Sequence, residues 1–296
     1  MAALALLLFL FLAIAGCTGN CSRQERERDF VIDLPEDSPE DLSKVRQVFY
    51  SLPSPVETAI ILKTSGAVFD EDLLNPVENV SRYLTNRSMA LNLGIYTTNL
   101  SYASLFDQAQ ICIDYMDAAK RLADNLGILD AVDRFTLERL EENISNREVV
   151  IDIVSETFMN SSSFLQESNR EPVAAMLLAG GWLEGLYLAL NLIDEDELEH
   201  HSMVNIIIDK KLSLEIVMLL LKQNSQNEDV AELMGEMGRI EDLYRKIEIE
   251  RSPIEVDRSG EDGVTILRSS SSARIERDVF RDLKSTVNEI RNSIVS

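Results

Sequence analysis

Apolar residues recur along the chain at steps of three and four positions, which is the spacing of one face of an α-helix. Such stripes occupy residues 149–165, 230–247 and 275–294. The clearest stripe consists of Cys112, Tyr115, Met116, Ala119, Leu122, Ala123 and Leu126. Because each stripe must be buried against another element, the pattern predicts an all-α fold, a bundle of several helices around a shared core.

Prolines mark the expected starts of three helices. Ser38-Pro39, Ser54-Pro55 and Asn75-Pro76 each place a capping side chain before a proline at the first helical position. The third of these helices is expected to end near Leu84. Residues 87–126 then form either one irregular helix or two helices in sequence.

The C-terminal part carries the alternation that is typical of strands. Residues 254–256 and 264–266 alternate, and a glycine-containing segment separates them. This predicts a small β-hairpin, followed by a final helix over residues 273–294. We expect residues 251–296 to pack on a helical bundle domain that spans residues 36–250.

Two apolar segments are similar to each other at an offset of 86 residues. Gly94 and Tyr96 align with Gly180 and Trp182, and a leucine follows four positions later in both segments. The offset suggests a bundle built from two related halves. Chance similarity between apolar helices is the alternative.

The segment Val173–Ile193 contains one charged residue, Glu184, in 21 positions. This length is sufficient to span a bilayer. However, an acid near the bilayer centre costs about 2.5–3.5 kcal/mol, and both flanks are acidic without a basic anchor. A central helix that is buried on all sides explains the same residues, and its glycines would let neighbouring backbones approach closely. We therefore predict a buried helix.

A carboxylate in such a helix must be paired, hydrogen-bonded or protonated. The structural partners that the sequence suggests for Glu184 are Tyr96, Asn92 and Asn99. The functional alternative is a ligand pocket between helices. The candidate residues of that pocket are Tyr96, Tyr102, Trp182, Glu184 and Tyr187.

Residues 1–16 form an apolar run without a charge, which is typical of an export signal that is removed from the mature protein. Its end, Ile14-Ala15-Gly16-Cys17, resembles the lipobox of bacterial lipoproteins. The resemblance implies cleavage before Cys17 and acylation of this cysteine, so that the protein meets the membrane through a lipid anchor. Residues 17–35 are polar and mixed in charge, and we expect a disordered tether there.

Two other interpretations of the N-terminus stay open, because Met1-Ala2-Ala3 lacks the usual positive charge. The run could be an uncleaved membrane anchor. Alternatively, the chain could be a secreted eukaryotic protein, with Asn79-Val80-Ser81 and Asn99-Leu100-Ser101 as glycan acceptors.

The charge balance excludes some classes of partner. The chain has 51 Asp and Glu against 28 Lys and Arg, a formal net charge of −23. Such a charge repels phosphate backbones, so nucleic-acid binding is not expected. The three cysteines do not make a disulfide framework, and Cys112 lies on an apolar helix face where a free thiol behaves as a small hydrophobe.

The sequence contains no pattern typical of catalysis or metal binding. His200 and His201 are adjacent, so their side chains would diverge by about 100° on a helix. Glu197-Leu198-Glu199-His200 matches the Glu-x-x-His motif of di-iron bundles, but the second such motif that the site needs is missing. A nucleophile elbow and a glycine-rich phosphate loop are missing as well. We therefore expect no catalytic residue, no metal and no cofactor.

Residues 86–96 (NRSMALNLGIY), 100–102 (LSY) and 179–187 (AGGWLEGLY) resemble segments of uncharacterised all-helical lipoproteins from Bacteroidota-type bacteria. The resemblance covers most of the mature chain. It implies the same compartment and an all-helical fold, and it brings no assigned activity.

These features together predict a membrane-tethered, non-enzymatic interaction or scaffold lipoprotein of the bacterial cell envelope, with an unidentified envelope protein as its partner. We expect the outer membrane as its site, with the body facing either the periplasm or the cell surface. The alternative function is a helical small-molecule binding or sensing module, with a pocket near Tyr96, Trp182 and Glu184.

Overall fold

The computed structural model describes residues 63, 66–129, 134–193, 195, 198, 203–251, 255–257, 266–268 and 271–296. The expected signal and tether lie outside these residues. So do the helices predicted from Ser38 and from Ser54, apart from Lys63.

The described chain is an all-α bundle, as the apolar stripes predict. Two short 3₁₀ helices, Glu71–Leu73 and Val77–Arg82, precede the first α-helix. The α-helices that follow are α1 (Asn86–Leu105), α2 (Ala109–Asn125), α3 (Arg134–Glu142), α4 (Arg147–Glu167), α5 (Glu171–Asn191), α6 (Met203–Gln223), α7 (Glu228–Tyr244) and α8 (Arg277–Val295).

The structure decides two points at which the helices before Leu126 were open or differently predicted. The stretch 87–126 forms two helices, α1 and α2, and the chain turns between them at Asp107, whose φ of 60° lies in the left-handed region. The helix expected after Pro76 is the 3₁₀ helix Val77–Arg82, a form that is common in short connectors.

Short strands lie between α7 and α8 in the described part of the chain. They are β1 (Glu248–Arg251), β2 (Glu255–Asp257), β3 (Ile266–Arg268) and β4 (Ser271–Arg274), with β1 antiparallel to β4 and β2 antiparallel to β3. The hairpin predicted over residues 254–266 falls largely on residues that the structure does not describe, so it stays a prediction. The final helix begins at Arg277, later than predicted, because β4 occupies residues 271–274.

Helix α5 is the centre of the bundle. It contacts α1, α4, α6, α7 and α8. Within the described residues it is long and apolar enough to cross a membrane, but 94% of its most apolar window is buried inside the protein. The prediction of a buried helix over Val173–Ile193 is therefore confirmed.

The surrounding helices bury one face each. In α2 the predicted stripe is buried apart from Ala119, which is half-buried. In α8 the buried apolar residues are Phe280, Leu283, Val287, Ile290, Ile294 and Val295. The polar faces of these helices point to solvent, so that burial of one stripe per helix stabilises the bundle.

Helices α1 and α5 cross at backbone contact, and two glycines make this possible. A Cβ atom built on Gly94 would overlap the carbonyl oxygen of Leu177 and would lie 2.6 Å from the backbone nitrogen of Gly181. A Cβ atom on Gly180 would overlap the carbonyl oxygen of Leu91. The contact is reciprocal, because Gly180 and Leu177 each lie 86 positions after Gly94 and Leu91.

We predict that Gly94→Ala and Gly180→Ala each lower the free energy of unfolding by about 3 kcal/mol, because the added methyl group meets backbone atoms that cannot rotate away. Urea unfolding followed by circular dichroism measures this change. Gly235→Ala in α7 is the matched control. A Cβ atom there meets nothing within 4 Å, so we expect a gain of about 0.5–1 kcal/mol from helix propensity alone. Equal effects at all three positions would contradict a close helix crossing.

Candidate functional site

Glu184 lies in the middle of α5 and is fully buried. Its carboxylate accepts hydrogen bonds from Arg291 Nε at 3.1 Å and Arg291 Nη2 at 3.2 Å, one to each oxygen. Asn99 Nδ2 in α1 donates a further bond at 2.7 Å. The expectation of a polar partner is confirmed for Asn99. The charged partner, Arg291, was not predicted.

Arg291 belongs to α8 and is itself almost fully buried. Besides Glu184, its guanidinium donates to the carbonyl oxygen of Leu73 at 3.2 Å and lies 4.4 Å from the centre of the Tyr187 ring. Burial disfavours the guanidinium charge, but attraction and hydrogen bonding to Glu184 outweigh it and raise the pKa of Arg291 above its usual value. The site is thus a closed ion pair, covered by an aromatic ring.

A sequence signal for Arg291 does exist. It follows Val287 by four positions, and so falls on the apolar face of α8. A charged side chain on a buried face needs a buried partner of opposite sign. The two positions are far apart in the chain, which hides the pairing from any local pattern.

Buried amides extend this network to the start and the end of the fold. The backbone N–H of Asn75 donates to Asn99 Oδ1 at 3.1 Å, and its side-chain amide donates to Asn92 Oδ1 at 3.1 Å. Asn92 Nδ2 in turn donates to the carbonyl oxygen of Ile294 at 3.0 Å. The segment before α1 and the last turn of α8 are therefore joined by side-chain hydrogen bonds inside the core.

Tyr83 completes the connection to α8. Its hydroxyl donates to the carbonyl oxygen of Val295 at 3.1 Å and accepts from Asn75 Nδ2 at 3.0 Å. The last carbonyl groups of a helix have no partner within the helix. Asn92 and Tyr83 satisfy two of them in α8 from outside that helix.

The other predicted pocket residues have protein partners as well. Tyr96 is fully buried and donates to the carbonyl oxygen of Pro76 at 2.9 Å. The Tyr102 hydroxyl accepts from the backbone N–H of Asp70 at 3.0 Å. Trp182 Nε1 donates to Ser213 Oγ in α6 at 2.9 Å.

The structure brings only part of the predicted set together. Glu184 and Tyr187 meet through Arg291. Tyr96 and Tyr102 bind the segment before α1, whereas Trp182 binds α6. The five residues do not form one pocket wall, so the ligand role predicted for them stays a prediction.

The remaining predicted positions are easily placed. Cys17, His200 and His201 lie outside the described residues. Burial raises the pKa of the Cys112 thiol to about 12, which keeps it protonated and suits a small hydrophobe. Asn99 is fully buried, so the glycan acceptor considered at this position would be inaccessible to a glycan.

A cavity of about 80 Å³ lies between α1, α2, α3 and α4, with Leu177 of α5 also in its wall, and Glu184 does not line it. None of the five predicted pocket residues lines it. Buried apolar residues form its wall, among them Leu93, Leu100, Met116, Val154, Phe158 and Leu177. This cavity is a feature that the sequence pattern did not reveal, because its lining residues are spread over 85 positions of the chain.

Comparison with known proteins adds no relative to this picture. No protein-family model matches the chain, and neither a curated protein nor a solved structure shows significant similarity to it. The chemistry of the site therefore has to be argued from its own residues.

We predict that Glu184→Gln lowers the free energy of unfolding by about 3–5 kcal/mol, because it leaves the Arg291 guanidinium buried without a counter-charge. Urea unfolding measures this loss. The double variant Glu184→Gln/Arg291→Gln should be less destabilised than the sum of its two single variants.

Arg281→Gln is the matched control for this prediction. Arg281 lies on α8, as Arg291 does, and forms an ion pair with Glu195 at 3.0 Å on the protein surface. Because surface ion pairs contribute little, we expect almost no change in the unfolding midpoint. The assigned role of the buried pair would be wrong if Glu184→Gln and Arg281→Gln behaved alike.

We also predict a loss of stability at alkaline pH. Burial raises the pKa of every tyrosine hydroxyl in the described chain, and these residues are Tyr83, Tyr96, Tyr102, Tyr115, Tyr187 and Tyr244. The folded state therefore favours the neutral form. The stability of the folded state is unaffected by tyrosine ionisation below about pH 10, where the tyrosines of the unfolded chain are also neutral. This stability is lost as the pH rises towards the folded-state pKa values.

A titration that follows tyrosinate absorbance and helical circular dichroism together checks this prediction. We expect these tyrosines to ionise only as the helices unfold. Gradual ionisation of most tyrosines in a chain that keeps its helical signal would show that they are not sealed in the core.

Proposed function

We propose that this chain is a lipid-anchored, non-enzymatic interaction or scaffold protein of the bacterial cell envelope. The observation that carries the proposal is the enclosure of α5. This helix has the length and composition of a membrane span, but the other helices cover it and its central acid, Glu184, is paired with Arg291. Membrane attachment therefore falls to the apolar N-terminus.

The N-terminal residues support a lipid anchor. The run up to Gly16 ends in Ile14-Ala15-Gly16-Cys17, the arrangement of small residues before a cysteine that lipoprotein signals share. Each buried methylene of an attached acyl chain adds about 0.8 kcal/mol to membrane binding, so that two or more chains anchor a protein stably. The resemblance to helical lipoproteins of Bacteroidota-type bacteria implies the same compartment, and we propose the outer membrane as the site.

The buried polar groups support a role without catalysis. Glu184, Arg291 and Asn99 bind one another, and Asn75 and Asn92 bind backbone and side-chain groups of the same network. A catalytic group has to be reachable by a substrate. These groups hold helices together instead, so we expect the envelope partner to bind the outer surface.

The charge of the chain indicates the kind of surface that it would meet. With a net charge of −23, the body repels anionic headgroups and attracts basic protein surfaces over a Debye length of about 8 Å at physiological salt. Electrostatic complementarity of this kind raises association rates and selects among partners. The envelope partner is therefore proposed to present a basic face.

We further infer that the bundle consists of two related halves. The reciprocal contact between α1 and α5 supports this. Gly94 meets Leu177 and Gly180 meets Leu91, and the residues of the second helix lie 86 positions after their counterparts in the first. Helices α1 and α5 also have similar lengths, 20 and 21 residues. A duplicated helix that packs against its own copy produces such pseudo-twofold contacts.

The lipid anchor and the partner are tested with the same two variants, in two experiments. We predict that Cys17→Ser abolishes incorporation of labelled fatty acid and releases the chain from the membrane fraction. Cys21→Ser is the matched control, since it removes a cysteine four positions away and should keep both the label and the membrane attachment. A Cys17→Ser form that still carries the label would overturn the anchor.

In-cell crosslinking and mass spectrometry then test the scaffold role. A reproducible envelope protein should be linked to the original chain and to Cys21→Ser, but lost in Cys17→Ser. If the correctly anchored chain yields only links to itself, the scaffold role is wrong even though the anchor stands.

A further inference from the structure

The cavity between α1, α2, α3 and α4 has the features of a binding site for a small amphiphile. We propose that it binds a short aliphatic carboxylate, with the apolar tail inside the cavity and the carboxylate beside Lys120. The inference does not depend on the lipid anchor or on an envelope partner.

The wall of the cavity fits an unbranched hydrocarbon tail. Leu93 and Leu100 of α1, Met116 of α2, Phe158 of α4 and Leu177 of α5 are all buried and line it. Apolar cavity walls take up apolar guests. Each methylene group moved from water into such a site increases affinity about fourfold.

The volume limits the length of the tail. A cavity of about 80 Å³ is roughly half the size of the ~150 Å³ apolar cavity that holds one benzene molecule. It therefore has room for a tail of about three to five carbons. Butanoate and hexanoate fit this limit, whereas acetate has almost no tail and a long acyl chain of a membrane lipid exceeds it.

The rim of the cavity provides the charge. Lys120 lines the cavity and is half-buried, and it makes neither an ion pair nor a hydrogen bond with any residue of the described chain. This is unusual in a protein with 51 acidic and 28 basic residues. The hydroxyl of Thr157, also half-buried at the rim, supplies a second donor.

Charge complementarity selects a carboxylate over other head groups. A lysine ammonium on a flexible stem binds an anion as a point charge, and a hydroxyl that lines the same cavity is able to donate to the second oxygen. An alcohol of the same length would keep the burial of the tail but lose this attraction. A cationic amine would be repelled by Lys120.

The test is ligand-observed nuclear magnetic resonance on the full chain in lipid nanodiscs, with empty nanodiscs as the blank. The probes are acetate, butanoate, hexanoate and butan-1-ol. We expect butanoate to bind on the order of tenfold more tightly than acetate, and also more tightly than butan-1-ol. If no carboxylate binds above the blank, or if butan-1-ol binds as tightly as butanoate, the proposal is wrong.

Two variants and a control locate the binding. Lys120→Gln should weaken hexanoate binding on the order of tenfold while leaving butan-1-ol unaffected. Ala119→Leu narrows the rim and should weaken both ligands. Lys222→Gln makes the same charge change on the exposed face of α6 and should alter neither.

The outcome at Lys120 decides the assignment even if Ala119→Leu does not fold. Lys120 is half-buried at the rim, so its substitution is compatible with an intact core. Hexanoate affinity that is equal in Lys120→Gln and Lys222→Gln would place the carboxylate elsewhere and would overturn the proposal.

Discussion

The structure depends on one carboxylate placed in the centre of its most apolar helix. Glu184 has no access to water, so its charge must be balanced by a group that the fold itself delivers. Arg291 delivers that charge from the last helix, 107 positions later in the chain. An apolar stripe tolerates a shift along its neighbour, whereas a two-point contact between a guanidinium and a carboxylate does not. The pair therefore fixes how α8 lies on α5.

The same carboxylate also requires the close approach of α1 and α5. Asparagine has a short side chain, and Asn99 reaches Glu184 at 2.7 Å only because the two backbones touch nearby. That touch requires glycine at positions 94 and 180. Packing and electrostatics are thus linked. The glycine crossing brings the Asn99 side chain to Glu184, and the same side chain accepts a hydrogen bond from the backbone N–H of Asn75.

The sequence predicts those parts of the fold where one face of a helix is buried. Its periodicity placed α2, α7 and α8 well, because their stripes are bordered by solvent-facing charges. Helices α1 and α5 are buried on nearly every side, so periodicity carries no information about their packing. The need of Glu184 for a partner could be argued from burial alone. Arg291 is marked as a buried cation by its place on the apolar face of α8, but no local rule connects it with Glu184, 107 positions away.

Helix α1 lies between the polar network and the apolar cavity. One face presents Asn92 and Asn99 to the network that joins the segment before α1 to the end of α8. Another face presents Leu93 and Leu100 to the cavity. The network uses its polar groups fully, so it confers order and leaves little chemistry for a ligand. The cavity has an apolar wall and an unpaired cation at its rim within the described chain, which is the combination that a small amphiphile requires. The polar network and the proposed ligand cavity thus lie on different faces of one helix.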